Sequence, residues 1–183
     1  ALNQTLDEAT ARAIIERQFV EVIIAPDIDG KALKTLEGKP NVRVLSAGRR
    51  AQPLLQLNLK RVSGGLLVQD NDLGKVTADT LKVVTRRAPS PQGLEDLLFA
   101  WTVVKYVKSN AIVLVRGRQT VGVGAGQMSR IDSFKVAVMK MNAQQGLMKP
   151  GPLVMASDGF FPFRDTIDEA SKIGVTAVIQ PGG

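Results

Sequence analysis

Apolar residues along this chain fall into two patterns, stripes with helical spacing and short continuous runs. The short runs, several of them rich in β-branched residues and bounded by Gly or Pro, predict strands, of which the first, ended by Pro26, is predicted to be buried. These predicted strands cover residues 22–25, 42–45, 60–62, 66–68, 81–84, 111–115, 120–123, 153–156 and 175–179. The helical stripes predict helices over 9–18, 32–37 and 94–107, one from the glycines at 122–126 to about 146, and one from Asp165.

Start and stop signals sharpen several of these boundaries. Thr5 and Glu8 have the spacing of a capping box, in which each side chain satisfies a free amide at a helix start. Gly38 is predicted to end the second helix, since glycine is the usual residue after a helix C-terminus. Ser90 followed by Pro91 predicts an N-cap and first helical position for the third helix.

The order of elements predicts an α/β fold. After a polar, proline-containing linker at 86–91, the order is helix, strand, strand, helix, strand, helix, strand, with a compact hairpin turn over 116–119. Such an order packs helices onto a sheet. The first half is also α/β, but it opens directly on a helix and is expected to be an incomplete domain. Residues 46–56 show little periodicity and are predicted to form a loop.

Composition excludes several kinds of chemistry. The 183 residues include no cysteine and no histidine, so the chain by itself cannot form a zinc deaminase site, a Ser-His-Asp triad or a Cys-His pair. No metal requirement is expected. No apolar run approaches the roughly 20 residues that span a bilayer, so no membrane partner is expected.

The net charge of +7 leaves the partner open. It is compatible either with an ordinary basic surface or with an anionic partner such as a nucleotide phosphate, a polyglutamylated cofactor or a nucleic acid. The basic residues are scattered, and only six Phe, one Tyr and one Trp are present to stack on bases. A nucleic-acid partner is therefore disfavoured.

Two segments attract attention as candidate binding elements. The glycines of 122–126 lie between a strand and a helix, which suits either an anion at the helix N-terminus or a tight glycine-lined turn. Residues 157–165 hold three phenylalanines beside Arg164 and two aspartates. They form either a loop plugged into the core or, preferably, a wall for a flat ring with polar groups that fix its orientation.

Two single residues are ambiguous when taken alone. Asn110 stands at the end of a predicted helix, where an asparagine most often acts as a cap. Glu21 stands at the entrance to a buried strand, where a carboxylate needs either a partner or solvent.

Longer segments give the chain a family resemblance. Residues 107–113 (VKSNAIV), 122–130 (GVGAGQMSR) and 156–165 (ASDGFFPFRD) resemble, in order and spacing, the AICAR transformylase family, with weaker likeness at 18–26 and 62–69. This family is the formyl-transferring half of a bifunctional purine-biosynthesis protein, and the likeness is to its bacterial members. The resemblance implies tandem cytidine-deaminase-like domains of three-layer α/β/α type without the deaminase zinc. Residues 1–87 would form the later part of the first domain and residues 88–183 most of the second.

The resemblance also implies an activity and a set of site residues. The reaction would transfer a formyl group from 10-formyltetrahydrofolate to 5-aminoimidazole-4-carboxamide ribonucleotide, at sites shared across a cytoplasmic homodimer. Asn110 would act in catalysis and contact the ribonucleotide, helping to orient it. The remaining implied contacts are Glu21 and Phe160 with the ribonucleotide, and Arg130, Ile131 and Asp165 with the folate.

The chain also departs from the family pattern. The Lys-His proton-transfer motif, the C-terminal tail that helps bind the nucleotide, and the cyclohydrolase domain would all lie outside these residues. We therefore expect a fragment that is inactive alone. The alternatives are a non-catalytic module that binds nucleotide and folate and, ranked lower, a basic nucleic-acid-binding domain.

Overall fold

The computed structural model describes residues 1–48, 57–143, 146 and 148–182 and divides the chain into two compact units, Ala1–Leu73 and Gly74–Gly183. The domain boundary between residues 87 and 88 stays a prediction, but residues 74–87 pack with the second unit. Contacts over long sequence distances explain this packing. The Arg87 guanidinium donates to the Thr176 carbonyl (3.1 Å), and Lys105 Nζ donates to the Gly74 carbonyl (3.0 Å).

The first unit contains a small α/β layer and a separate hairpin. Its elements are α1 (Glu8–Arg17), β1 (Val22–Ala25), α2 (Gly30–Leu36), β2 (Arg43–Ser46), β3 (Leu57–Val62) and β4 (Gly65–Asp70). Strands β1 and β2 pair in parallel, and α1 and α2 pack on each other. The buried core of this layer consists of Leu6, Ala11, Ile23, Ala25, Ala32 and Leu36.

The first helix starts later than its predicted capping box. Asp7, rather than Thr5, is the N-cap, and its carboxylate accepts a hydrogen bond from the Thr10 amide (2.7 Å). Leu6 is fully buried and forms a parallel bridge with Ile28, which holds the chain extended up to that point. The helix therefore cannot begin before Asp7.

The second helix also differs from its prediction at both ends. It begins at Gly30, because the Asp29 carboxylate accepts from the Lys31 amide (3.1 Å) and so caps it earlier in the chain. The C-cap is Glu37 in right-handed conformation, and Gly38 does not adopt a positive φ. The bond from the Lys39 amide to the Leu36 carbonyl (2.9 Å) closes this end without a left-handed glycine.

The paired strands predicted around residues 60–68 are present as the β3–β4 hairpin. The strands are antiparallel, and Gly64, with φ of 80°, allows the reversal. All side chains of both strands are exposed. Of the loop predicted over residues 46–56, the segment 49–56 lies outside the described residues.

The second unit is built on a four-stranded sheet. Its elements are a 3-10 turn (Ala78–Thr80), α3 (Pro91–Val104), β5 (Ile112–Arg116), β6 (Gln119–Gly124), α4 (Arg130–Asn142), β7 (Leu153–Ser157), α5 (Asp165–Lys172) and β8 (Val175–Ile179). The strand order is β6-β5-β7-β8, with β5 antiparallel to both neighbours and β7 parallel to β8. Ser90 caps α3 through the Gly93 amide (3.1 Å), with Pro91 in its first turn, as the sequence predicts.

Helices cover both faces of this sheet, because alternate strand residues point to opposite sides. Val113, Val115, Val154 and Ala156 pack with α3. Residues Ile112, Leu114, Leu153 and Met155 pack with α4 and α5 on the other face. The second unit is thus a three-layer α/β/α structure, which confirms the predicted α/β class; the tandem cytidine-deaminase-like arrangement stays a prediction.

The strand predicted at residues 81–84 is absent, since this segment pairs with no strand of the described chain. Leu81 packs against the buried residues between α3 and the sheet, here called the α3-side core, whereas Val83 and Val84 are exposed. An apolar run indicates that a segment has side chains to bury. A strand also needs a neighbouring strand with free backbone groups, which the run itself cannot provide. Within the described residues, no helix is long and apolar enough to cross a membrane.

Candidate functional site

Several of the predicted site residues meet at one end of the second unit's sheet. The first residue of β5, Ile112, pairs with the last residue of β7, Ser157, so the chain entering β5 lies beside the loop leaving β7. The segment between β6 and α4 reaches the same place, since the Gly126 amide donates to the Lys108 carbonyl (2.8 Å). The site is therefore assembled from residues 108–111, 126–133 and 157–161.

Asn110 is half-buried and is held by its own polar atoms. Its side-chain Nδ2 donates to the carbonyls of Gln127 (3.0 Å) and Met128 (3.2 Å). Its main-chain carbonyl accepts from the hydroxyl of Ser133 (2.6 Å), a fully buried residue of α4. Both hydrogens of the amide group are used, so Oδ1, a hydrogen-bond acceptor, is the part of the amide left to meet a ligand.

Asp158 and Arg130 form an ion pair beside Asn110. The Asp158 carboxylate accepts hydrogen bonds from Arg130 Nη1, from the Ala111 amide (2.9 Å) and from the Ser109 side chain. Burial opposes ionisation of this carboxyl, but these hydrogen bonds and the guanidinium charge outweigh it, so the pKa of Asp158 lies below its usual value. The carboxylate is therefore ionised at neutral pH.

Ser157 and Gly159 hold the guanidinium from the other side. Arg130 Nη1 donates to the buried Ser157 hydroxyl (3.1 Å), which in turn donates to the Gly159 carbonyl (2.8 Å). A Cβ on Gly159 would lie 2.5 Å from Arg130 Nη2, so the guanidinium occupies space that only glycine leaves open. The Arg130 side chain is 15% exposed and is fixed within the protein.

Two of the three glycines at 122–126 allow α4 to pack closely against β6. Gly122 and Gly124 lie inside β6, where added Cβ atoms would be 2.1 Å from the Ala137 carbonyl oxygen and 1.8 Å from that of Ser133. Gly126, with φ of 67°, provides the turn that the sequence also allowed. The sequence is compatible with an anion site or a tight turn at these glycines. The structure shows a further reason for glycine here, which is the close contact of α4 with β6.

The aromatic loop after β7 divides between core and surface. Phe161 packs against the buried residues between the sheet and the helices α4 and α5, here called the α4-side core. Its amide donates to Gln180 Oε1 (3.0 Å). Phe160 and Phe163 are 51% and 73% exposed. One ring of the loop is therefore partly buried against the core and two are exposed, and the wall for a flat ring stays a prediction.

The other predicted site residues are less closely linked. Ile131 is half-buried against the α4-side core, and Asp165 is exposed in the first turn of α5, accepting from the Thr166 amide (2.6 Å). Glu21 is exposed and belongs to the first unit, where its carbonyl accepts from the Arg43 amide (2.8 Å). The structure thus brings Asn110 and Arg130 together within the second unit, whereas the described contacts of Glu21 lie within the first.

Sequence reasoning missed Ser133, Ser157 and Asp158 as members of this site. Asp158 was noted only as a polar neighbour of the phenylalanines. A serine and an aspartate directly after a buried strand were the available signal, because a strand end at a sheet edge places such side chains near helix N-termini. The described part of the chain contains no cluster of three acidic residues, histidines or cysteines suited to a metal ion.

Comparison with known families connects this geometry to a class of enzyme. A family model described as AICARFT/IMPCHase bienzyme matches residues 1–140. The matched region includes Glu21, Asn110, Arg130 and Ile131, whereas Phe160 and Asp165 lie beyond it. The family resemblance predicted from the sequence is therefore confirmed. The chain belongs to the AICARFT/IMPCHase bienzyme family, whose role is in purine biosynthesis.

Proposed function

We propose that this chain contributes residues to a formyl-transfer site that contact both the ribonucleotide and the folate. The reaction moves the formyl group of 10-formyltetrahydrofolate to the 5-amino group of 5-aminoimidazole-4-carboxamide ribonucleotide. Family membership supports this choice of reaction. The working enzyme is proposed to be a cytoplasmic homodimer with shared sites and no catalytic metal.

The fixed orientation of the Asn110 amide carries the proposal. Because Nδ2 is held by the carbonyls of Gln127 and Met128, Oδ1 meets a ligand as an acceptor. A ligand that uses this atom must present an N–H or O–H, as the amino and carboxamide groups of the ribonucleotide do. A conjugated aromatic amine is a weak nucleophile, so holding it in an attack geometry gives a large part of the rate enhancement.

The remaining residues take roles around this point. The exposed ring of Phe160 is a surface for the flat imidazole. The resemblance also assigns Glu21 to the ribonucleotide. Arg130, Ile131 and Asp165 contact the folate. Since the Arg130 guanidinium already pairs with Asp158, its role is to shape the site rather than to act as a free cation.

The 183 residues alone are proposed to bind without turnover. The family's proton-transfer pair contains a histidine, and these residues include none. Removing a positioned general acid or base lowers a rate by about 10²–10⁴-fold. Release of tetrahydrofolate, followed by absorbance with both substrates present, is expected to stay at the background rate.

Replacing Asn110 with alanine is expected to weaken ribonucleotide binding about tenfold. The change removes one hydrogen bond to the ligand, worth about 1–1.5 kcal/mol, and also leaves two carbonyls without their donor. Isothermal titration of the ribonucleotide into the wild-type chain and into Asn110→Ala measures this difference. Asn71→Ala, at an exposed loop position, is the matched control and is expected to bind as the wild type does.

The outcomes separate the possible functions. Equal affinity for wild type and Asn110→Ala would contradict the assigned role of the amide. Folate and ribonucleotide binding without turnover, even when the complete proton-transfer motif is present in the protein, would favour the non-catalytic module. Oligonucleotide binding that falls steeply with salt would instead favour the nucleic-acid domain.

A further inference from the structure

We propose that Asp158 is a positioning residue, which fixes the Asn110 segment and the Arg130 guanidinium in one arrangement. Its significance for catalysis rests on the proposed function, but the arrangement itself is a property of this chain. The sequence resemblance assigns no role to Asp158, and the family match ends at residue 140.

The contacts of Asp158 join the end of β7 to two other parts of the chain. Its carboxylate accepts from Ser109 and from the Ala111 amide, the residues on either side of Asn110. It also pairs with Arg130, the first residue of α4. Its own amide donates to the Ala111 carbonyl (3.3 Å), so main chain and side chain hold the same segment.

These contacts leave Asn110 little freedom. Both of its neighbours are bound to one carboxylate, and its side chain and carbonyl are bound to residues 127, 128 and 133. A group held on several sides reaches its reactive geometry without further ordering. Loss of the Asp158 charge is expected to release the Arg130 and Ser109 contacts together.

Half-buried Asp158 differs in this respect from Asp96, a fully buried acid of the second unit. Asp96 accepts from two turn amides at the hairpin end of the sheet and from Gln92, and within the described residues these partners are all uncharged groups. Asp158 instead links a cation to the segment that holds the ligand-facing amide. Removal of the Asp96 carboxylate is therefore expected to lower stability, whereas removal of the Asp158 charge is expected to change the arrangement of Asn110 and Arg130.

Two segments of the candidate site carry charged side chains, the first turn of α4 and the segment before β5. Arg130 and Asp132 stand in the first turn of α4, and Lys108 precedes β5. Among the described residues, Arg130 is the charged partner that acts on Asp158, whereas Asp132 bonds Ser129 and Lys135. Because the folded-state pKa of Asp158 is lowered, the arrangement is complete above about pH 3.8 and is lost as the pH falls through the folded value.

The test follows two NMR signals of the chain, the Nη–Hη of Arg130, whose Nη1 makes the bonds to Asp158 and Ser157, and the side-chain amide of Asn110. In the wild type at pH 6.5 both are expected to be resolved and slow to exchange with water. In Asp158→Asn, which keeps the size of the side chain but removes its charge, the Arg130 signal should be lost to exchange and the Asn110 amide should shift. The matched control Asp132→Asn changes a carboxylate in the same region and should preserve both signals.

A pH titration of the wild type tests the same point without a variant, which matters if Asp158→Asn fails to fold. Both signals are expected to change together at one midpoint below pH 3.8, in the wild type and in Asp132→Asn. If the two signals titrate separately, or persist unchanged in folded Asp158→Asn, the proposal is overturned. A wild-type chain that binds no ribonucleotide would contradict the proposed function while these signals still decide the role of Asp158.

Discussion

Replacing Gly124 with alanine is expected to lower the free energy of unfolding of the second unit by about 3 kcal/mol. A Cβ at this position would lie 1.8 Å from the Ser133 carbonyl oxygen and 2.6 Å from its carbonyl carbon. Both are backbone atoms of α4, so no side-chain rotation relieves the clash, and the helix must move away from β6. The same change should displace the Ser133 hydroxyl from the Asn110 carbonyl (2.6 Å) and weaken ribonucleotide binding.

Urea denaturation followed by circular dichroism measures this loss. Gly146→Ala is the matched control, because a Cβ there meets no atom within 4 Å. It is expected to change stability by less than about 0.5 kcal/mol, as most surface substitutions do. Wild-type stability in Gly124→Ala would show that α4 and β6 do not pack as closely as the structure describes.

Replacing Asp96 with alanine is expected to destabilise the second unit by about 3 kcal/mol. Asp96 is fully buried, and its carboxylate accepts from the amides of Gly117 (2.9 Å) and Arg118 (2.7 Å). These two residues form the β5–β6 turn, where both have positive φ. Alanine leaves the two turn amides without their acceptor and opens a cavity under the hairpin.

The single tryptophan, Trp101, lies in the same helix as Asp96 and provides a fluorescence signal for urea unfolding. Glu95→Ala removes the adjacent, exposed carboxylate and serves as the control. It is expected to change the urea midpoint little. If Asp96→Ala and Glu95→Ala had equal midpoints, the contact between α3 and the turn would contribute no stability.

Substitutions of Asp96 and Asp158 are expected to have different effects, the first on stability and the second on the candidate site. Asp96 ties a turn at the end of the sheet where β5 ends and β6 begins, whereas Asp158 lies where β5 begins and β7 ends. We expect Asp96→Ala to lower stability without changing the affinity of the folded protein for the ribonucleotide. Asp158→Asn should change the Asn110 and Arg130 signals in protein that is still folded.

Local signals in the sequence were sufficient for most of the second unit. Ser90 and Pro91 start α3 as predicted, and the turn over 116–119 joins β5 and β6, because capping and turn chemistry act over three or four residues. The motifs also sufficed for the family, which the match over residues 1–140 confirms. The lack of histidine and cysteine limits the available chemistry through residue type alone, whatever the fold.

Where the sequence predictions were wrong, contacts between distant residues decided the structure. The N-cap of α1 is Asp7 and not the predicted Thr5, because buried Leu6 pairs with Ile28. The run at 81–84 formed no strand because Leu81 packs against α3 without a partner strand in the described chain. Neither contact can be predicted from the spacing of apolar and polar residues nearby in the sequence.

The sequence by itself determined most of the elements that form, the family to which the chain belongs and the residue types available for chemistry. Only the tertiary structure decided that Asp158 pairs with Arg130, that the Asn110 amide nitrogen donates to the Gln127 and Met128 carbonyls, and that Gly124 lies against the backbone of α4. The physical reason is the range of the interactions involved. Helix caps and turns are fixed by neighbours in sequence, whereas burial, ion pairing and close backbone contact depend on which distant segments the fold brings together.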